Sequence, residues 1–518
     1  MTDVIEIPIK PLMMDSIAIP RVRAQSVDVE AMRRRIQPNY LDPDALTRPR
    51  TYSIDSPRRV NKGHVIVLIV GDAGRAIRMQ YHALSLAEQK FKVSLVGLAG
   101  TPLIKELQPF IHNEMVKVLR YSIPFTKQVG KTWYFLTIPF KLFFQALFLI
   151  LTLFLIAGRP THILVQTPPA VPALPIAWLA ARRHRSRLVI DWHNFGYTML
   201  GLRFGMSHPL VLVYAVIEKY FGRKADACFA VSRHMAERIR AKFGVSDSIV
   251  VYDKPGSVFY RRDNALAHSL FHRLGLLVEE NHTRLIYRSP TDKDISRPSL
   301  FTLADASNTR VGPMLLMSST TWTADEDNIA LIDGLAKLDK KLIEAGTKPG
   351  LKLVCVITGN GPMLHEGVAR IKEHRLKHVR IHTAWLTNED YALLAGVSDV
   401  SINLHTSSSG VDLPITVQDM FGSGLPVISV DYPTIHEVLK PEYGIVMGKG
   451  PIADEVCSTM FELLKEGRGT GSRLYTMRQS IVKRFGDQHN KDRSDRWDRN
   501  WRMTAFSAFR TSGTRKTD

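Results

Sequence analysis

His64-Val65-Ile66-Val67-Leu68-Ile69-Val70 runs without a polar break after its first residue. A strand with one wet face alternates. A continuous β-branched run is buried on both faces, which demands a parallel sheet with helices on either side. The sequence that follows supplies the helix. Gly71-Asp72-Ala73-Gly74-Arg75 forms the turn, Ile77 to Lys90 reads as a helix, and Phe91 to Gly97 reads as the next strand, completing a βαβ unit. Further strands are expected at Ile163–Gln166, Arg187–Asp191 and Ala227–Val231, the last ending at Ser232, a good helix N-cap.

The same grammar restarts near Pro313. Met314–Ser318, Leu351–Thr358, Val379–His382, Val400–Leu404 and Gly424–Val430 read as strands or strand turns, with a helix from Asn328 to Ala345. With 518 residues the chain exceeds a single hydrophobic core. The expected fold class is therefore α/β, with two Rossmann-like domains facing a cleft and ligands at the carboxyl ends of the strands. The expected boundaries are a disordered polar tail over 1–60, a first domain over 61–262, a linker or insertion over 263–312, a second domain over 313–465, and a C-terminal helix with a basic tail over 466–518.

The formal net charge of +20 and the pI near 9.8 favour anionic partners. With neither zinc-finger spacing nor an aromatic-basic strand pattern, nucleic acid is the weaker reading, and no nucleic-acid partner is expected. Cys228, Cys355 and Cys457 are scattered, so neither a disulfide framework nor a metal cluster is expected. No N-terminal signal peptide is visible. The strongest apolar segment is internal: Trp133 to Leu136, then Leu142 to Ala157, flanked by Lys141 and Arg159. Its core would reach roughly 24 Å as a helix, short of a hydrocarbon thickness of about 30 Å. A spanning helix, a buried core helix and an interfacial or re-entrant helix over about 133–157 all fit that length. The strands on either side read as parts of one sheet, which favours a helix half immersed in the membrane.

Three clusters carry chemistry. Gly71 and Gly74 in the first turn, with Arg75 and Arg78, read as an anion site at a helix start, although the G-x-G-x-x-G spacing is missing. Asp191-Trp192-His193-Asn194 ends a buried strand with three polar groups, a setting suited to a general base. His405-Thr406-Ser407-Ser408-Ser409-Gly410-Val411-Asp412-Leu413-Pro414 follows another strand, and its small residues at a helix start suit a diphosphate. Asp419 lies further along that helix. Ser318, Ser319 and Thr320 form a second hydroxyl cluster, and Gly359 and Gly361 close the neighbouring strand on the same side. His436-Glu437 reads as surface, and the acidic run at 325–327 as a helix cap rather than a metal site.

Asp72 to Arg75, Arg78 to Ala83, Asp191 to Asn194, Tyr252-Asp-Lys-Pro255, Ser318 to Trp322, Ile357 to Pro362 and His405 to Pro414, in this order, resemble the chitobiosyldiphosphodolichol β-mannosyltransferase family over roughly Gly63 to Arg502. The resemblance implies a GT-B fold, GDP-mannose as donor, and GlcNAc2-diphosphodolichol as acceptor. It also implies a β linkage made by inversion and work on the cytosolic side of the endoplasmic reticulum membrane. Members usually carry an N-terminal membrane anchor, which is not seen in this chain. In broader GT-B relatives a paired-glutamate motif maps near Ser409 and on Asp419, and an Arg and a Lys follow the first strand of the second domain; Thr321 to Asn328 has neither. The start of the 407–410 helix and Lys254 are then expected to offset the donor diphosphate. The second domain is expected to hold the donor, and the first the acceptor, with Gly71, Gly74, Arg75, Arg78 and Asn194 around it. The base is expected to be Asp191 or His193, with Asp72 next. No cofactor or metal is expected to be required, and stimulation by Mg2+ is not readable. Other GT-B enzymes with a different nucleotide sugar or lipid acceptor stay open, as does a non-catalytic partner of other mannosyltransferases in the same pathway. A nicotinamide oxidoreductase is disfavoured by the missing glycine fingerprint.

Overall fold

The structure, a computed structural model, describes residues 63–122, 131–245, 248–277, 297–305, 308–323, 326–406, 409–486 and 495–510, with backbone alone for 131–138. The expected N-terminal tail lies outside these residues.

The first lobe is built on β1 (His64–Asp72), β2 (Lys92–Leu98), β3 (Val116–Tyr121), β4 (His162–Thr167), β5 (Arg187–Trp192), β6 (Ala227–Ala230) and β7 (Ser248–Val250). They form one parallel sheet in the order β3-β2-β1-β4-β5-β6-β7. The second lobe uses β8 (Met314–Ser319), β9 (Leu353–Thr358), β10 (Val379–Ala384), β11 (Val400–Asn403), β12 (Val427–Ser429) and β13 (Gly444–Val446), in the order β10-β9-β8-β11-β12-β13. Strand order reverses beside β1 and beside β8. Each lobe thus has a switch point where the loops after the strands part and leave a crevice.

The unbroken β1 run behaves as its composition demands. Val65 and Val67 bury on one sheet face with Met79 and Leu86 of α1 (Ile77–Glu88), while Ile66 and Leu68 bury on the other with Ala173, Leu174 and Ala177 of α4 (Ala173–His184).

The stretch expected as a linker belongs largely to the second lobe. Phe271 of α8 (Asn264–Arg273) and Phe301 are fully buried in the same core as Leu315 and Val354. Ala267, Leu270 and Phe271 give α8 an ordinary apolar face. The C-terminal stretch also differs from a simple tail. After α13 (Ile452–Glu466) and α14 (Arg473–Phe485) on the second lobe, α15 (Trp497–Met503) returns to the first. Trp497 Nε1 donates to Ser85 Oγ at 3.0 Å and Trp501 Nε1 to His82 Nδ1 at 2.9 Å. At the crossing, buried Arg496 donates to the carbonyls of Phe485, Gly256, Phe259 and Gly422 at 2.7, 2.8, 2.9 and 3.2 Å.

The apolar segment forms α3 (Lys131–Leu151) and a π-helical turn over Thr152–Ile156. Leu149 and Leu153 are fully buried, and Gln145 Nε2 donates to the Val70 carbonyl at 3.0 Å. The sheet contains both β3 before the helix and β4 after it. A helix pinned along one side to the sheet it leaves and re-enters has both ends on one side of any bilayer. Its other side is bare, with Phe143 62% and Leu155 73% exposed.

Candidate active site

Asp191 sits near the carboxyl end of β5 and is completely buried. Its Oδ2 accepts from Arg78 Nε at 2.8 Å and its Oδ1 from Arg78 Nη2 at 2.9 Å, a planar two-bond pairing from α1. His193 Nε2 bonds the same Oδ2 at 2.9 Å. His82 Nε2 lies 3.2 Å from it, and burial keeps that imidazole below its ordinary pKa. Burial alone would favour a neutral Asp191, but Arg78 and then His193 hold its carboxyl well below the usual range. An ionised carboxylate has no proton to give, so His193 Nε2 must carry the hydrogen. Nδ1 is then the basic nitrogen of the neutral ring, and the His193 side chain keeps 24% of its surface open. This is a buried carboxylate orienting a partly open imidazole, an arrangement able to take a proton from a hydroxyl.

Several expected roles change at this point. Asp191, sealed from solvent and saturated by donors, orients His193 and does not itself meet a hydroxyl. Arg78 is not a diphosphate ligand: it is buried, and its Nη1 is spent on Asp253 Oδ1 at 2.8 Å and on the Val251 carbonyl at 2.9 Å. Asp72 is not placed as a base either. Burial would raise its pKa, but hydrogen bonds from the Thr101 amide and hydroxyl and from the Gly74 amide lower it, at 2.9, 2.7 and 2.9 Å for the shortest of each. Gly74 is required by packing, since a Cβ there would lie 2.2 Å from the Thr101 carbonyl oxygen. Gly71 has open space where its Cβ would be. Arg75 is largely exposed, 3.7 Å from Asp72. Asn194 Oδ1 accepts from the Phe195 amide at 2.7 Å, shaping its own loop.

On the second lobe, Ser407 and Ser408 lie outside the described residues. The helix expected to open there, α12 (Ile415–Gly422), starts later. The carbonyls of the 409–411 turn before it are used for docking. The Ser409 carbonyl accepts from Arg238, the Val411 carbonyl from Ser232 Oγ, and the Gly410 carbonyl from Thr434 Oγ1 at 2.8 Å. The Val411 side chain is buried in the first lobe's core. Gly410 has φ +72°, a conformation glycine takes without strain. His405 Nε2 lies 3.2 Å from Asp412 Oδ2, and Ser409 Oγ donates to Asp412 Oδ1 at 3.4 Å. Thr320 is spent on its loop: its hydroxyl bonds Glu326 and accepts from the Asn328 amide at 2.8 Å. Gly359 and Gly361 let the neighbouring strand end pass this loop, where a Cβ would meet the Thr320 or Thr321 carbonyl within 1.7 or 1.9 Å. Ser318 is buried, whereas Ser319 lines a narrow crevice with Asn403 and Thr416 at the carboxyl ends of β8 and β11. Lys254 is not free for a diphosphate: its Nζ pairs with Asp495 Oδ2 at 3.0 Å, in the crossing between lobes.

Two groups escaped sequence reading. Asp253 lies inside the Tyr252-to-Pro255 motif, where only the lysine drew attention. It accepts from Arg78 Nη1, and its charge acts on Asp419 of α12, whose carboxyl is pushed well above its usual pKa by burial and then by Asp253, which favours the neutral form. Glu437, read as surface, clamps the lobes: it accepts from the amides of Arg233 and His234 at 2.8 and 3.1 Å and from Tyr252 Oη at 2.7 Å, at the start of α7 (Arg233–Phe243). A carboxylate there also meets the positive helix end. A cavity of about 440 Å³ is lined by Met314, Leu342, Lys352 and Phe461 at the amino-terminal edge of the second sheet, away from this chemistry.

The two-lobed geometry agrees with known proteins. A family described as a glycosyl transferase 4-like domain matches residues 73–252. A crystal structure of Anabaena Alr3699/HepE in complex with UDP and glucose superposes with a TM-score of 0.54 at 14% identity, over 86% of this chain and 98% of that one, which supports the GT-B fold. The UDP-glycosyltransferase TURAN of Arabidopsis thaliana is 36% identical over 73% of this chain and 84% of its own length. The human chitobiosyldiphosphodolichol beta-mannosyltransferase is 34% identical over 86% of this chain and 92% of its own. Identity of that level over most of both chains places this chain in the chitobiosyldiphosphodolichol beta-mannosyltransferase family of glycosyltransferases.

Proposed function

We propose that the protein transfers mannose from GDP-mannose to the chitobiose of GlcNAc2-diphosphodolichol, with inversion to a β-1,4 linkage, at the cytosolic side of the endoplasmic reticulum membrane. The observation that carries the chemistry is the His193–Asp191 pair at 2.9 Å, with Asp191 locked in its ionised form by Arg78. In a single displacement the acceptor oxygen bonds the anomeric carbon as the bond from that carbon to the diphosphate oxygen breaks. The bonding pair leaves with GDP, and the hydroxyl proton passes to His193 Nδ1. Asp191 stabilises the imidazolium so formed without taking the proton. Charge on the departing diphosphate falls to the first-turn amides of α12 and to hydroxyls such as Ser319 and Thr416. Asp419, keeping its proton, offers a hydrogen bond to a donor oxygen. Exposed Arg75 suits the acceptor diphosphate.

No metal is required in this scheme. Unchanged turnover in chelator supports that, and loss reversed by Mg2+ or Mn2+ refutes it. The Arabidopsis relative is named a UDP-glycosyltransferase, so the nucleotide is tested directly. Purified protein is incubated with a GlcNAc2-diphosphate lipid and either GDP-mannose or UDP-sugars, and the product is digested with β-mannosidase. A β-mannosyl product from GDP-mannose alone is expected. Transfer only from a UDP-sugar, an α linkage, or no transfer at all overturns the reading; the last outcome would favour a non-catalytic partner of other mannosyltransferases.

A further inference from the structure

We infer that α5 (Gly196–Phe204) and α6 (Pro209–Gly222) form a second membrane seat beside α3, resting on the headgroup layer of an anionic lipid leaflet. From sequence, membrane attachment is expected at the internal apolar segment and a basic surface; α6 is a further apolar helix. The structure buries only Val211, Glu218 and Gly222 of its fourteen residues. Leu210, Leu212, Val213 and Val216 are exposed, Val216 to 67%, and Leu202 of the adjoining α5 to 68%. Apolar patches of this extent on a soluble surface mark a binding face.

The face is continuous with α3. Leu149 of α3, Leu153 of the π-helical turn, and Ala173, Ala177 and Ala180 of α4 pack in one core layer on the same side of the first sheet, with Tyr214 and Phe221 of α6 packed against it. Their outer sides therefore point away from the sheet together. His184 at the end of α4 bonds the Leu153 carbonyl at 2.9 Å, and Trp178 of α4 meets Phe221 of α6 edge to face, centroids 5.6 Å apart. Exposed Leu179 bridges the two apolar strips.

Charge selects the occupant. The ends of α4 and α6 carry exposed Arg182, Arg183, Lys219, Arg223 and Lys224. Arg182 lies over the Trp178 ring at 5.5 Å and Lys224 over Tyr220 at 5.1 Å, the pairing of amphipathic ring and cation found where apolar and headgroup layers meet. Between 131 and 226 the acidic residues are Asp191, Glu218 and Asp226, and the first two are buried. An apolar centre with a cationic rim fits acyl chains under anionic headgroups. The geometry also serves the site. His193 lies three residues before α5, so seating this hairpin brings the imidazole near the layer where a lipid-linked diphosphate emerges; that benefit rests on the proposed acceptor, while the binding itself does not.

Full-length protein is floated with phosphatidylcholine vesicles, with and without phosphatidylserine. Variants are Leu210→Glu/Val213→Glu/Val216→Glu in α6, Arg223→Glu/Lys224→Glu at its end, and Phe143→Glu in α3. The triple α6 variant should lose binding about tenfold or more while unfolding at the wild-type temperature. The charge variant should lose the preference for phosphatidylserine. Transfer to a water-soluble GlcNAc2-diphosphate should be unchanged in both, and transfer to the long-chain lipid in vesicles should fall. Wild-type flotation of the α6 variant overturns the inference, as does equal binding to neutral and anionic vesicles, or a wild-type dimer that the α6 variant dissolves and that does not float. Absence of any transfer would count against the proposed reaction, and flotation would still decide the surface.

Discussion

Replacing Asp191 by Asn isolates the buried pair at the centre of the site, because the side-chain shape is kept and only charge and one acceptor are lost. Asp191 accepts from Arg78 twice, at 2.8 and 2.9 Å, and from His193 at 2.9 Å. An asparagine offers one oxygen and one NH2 group, so at least one of these donors faces another donor. Breaking a buried ion pair costs about 3–5 kcal/mol. Arg78 keeps Asp253 at 2.8 Å, which puts the expectation near the low end, about 3 kcal/mol. Asp191 has a depressed pKa, so its stabilisation is complete above the unfolded-state value near 3.9 and is lost as pH falls through the folded value. The deficit of the variant should therefore be constant from about pH 5 upward and narrow in stronger acid. Turnover should fall by about 10²–10⁴, with a smaller change in KM, because the tautomer of His193 is no longer fixed. Urea unfolding at several pH values and initial rates with the lipid acceptor measure both effects. Wild-type stability together with wild-type turnover would refute the arrangement, and lost stability with intact turnover would remove the orienting role.

Gly74→Ala should destabilise by about 1–3 kcal/mol, because the new Cβ meets the Thr101 and Pro102 carbonyl oxygens at 2.2 and 2.7 Å. Gly71→Ala, with nothing within 4 Å, should remain near wild type in the same melt. Burial pushes Glu218 up to about 7 against the opposing amides of Gly196 and Tyr197. Between the unfolded pKa near 4.3 and about 7 the folded state holds a proton the unfolded state has lost, so stability falls as pH rises through that window and is flat above it. Glu218→Gln should remove that slope, worth roughly 4 kcal/mol over the whole window, and parallel urea curves for the two proteins from pH 5 to 8 would contradict it. Arg496→Met strands four buried carbonyls at the lobe crossing and should cost at least about 3 kcal/mol in urea, with no change expected from Arg75→Met at the exposed end of the first turn.

The two α/β lobes are written in local composition. A both-faces-buried strand such as Val65 to Leu68 carries its parallel neighbours in its composition, and the motif order carried the family. The sequence also marked the cluster at Asp191 and His193, because polar groups rarely follow a buried strand without a purpose. Short edge strands such as Ser248–Val250 and Gly444–Val446 were not legible, since three residues hold too little pattern for a period. Only the tertiary structure decided which member of the cluster is open. Burial and charge pairing are long-range: Arg78 meets Asp191 across 113 residues, and Glu437 reaches His234 across 203. Local sequence spacing shows that such groups exist. It does not show which partner neutralises them, and that partner fixes whether a carboxylate is a base, a strut or a clamp. The bare outer side of α6 belongs to the same category, because an all-apolar helix reads alike whether a sheet or a bilayer covers it.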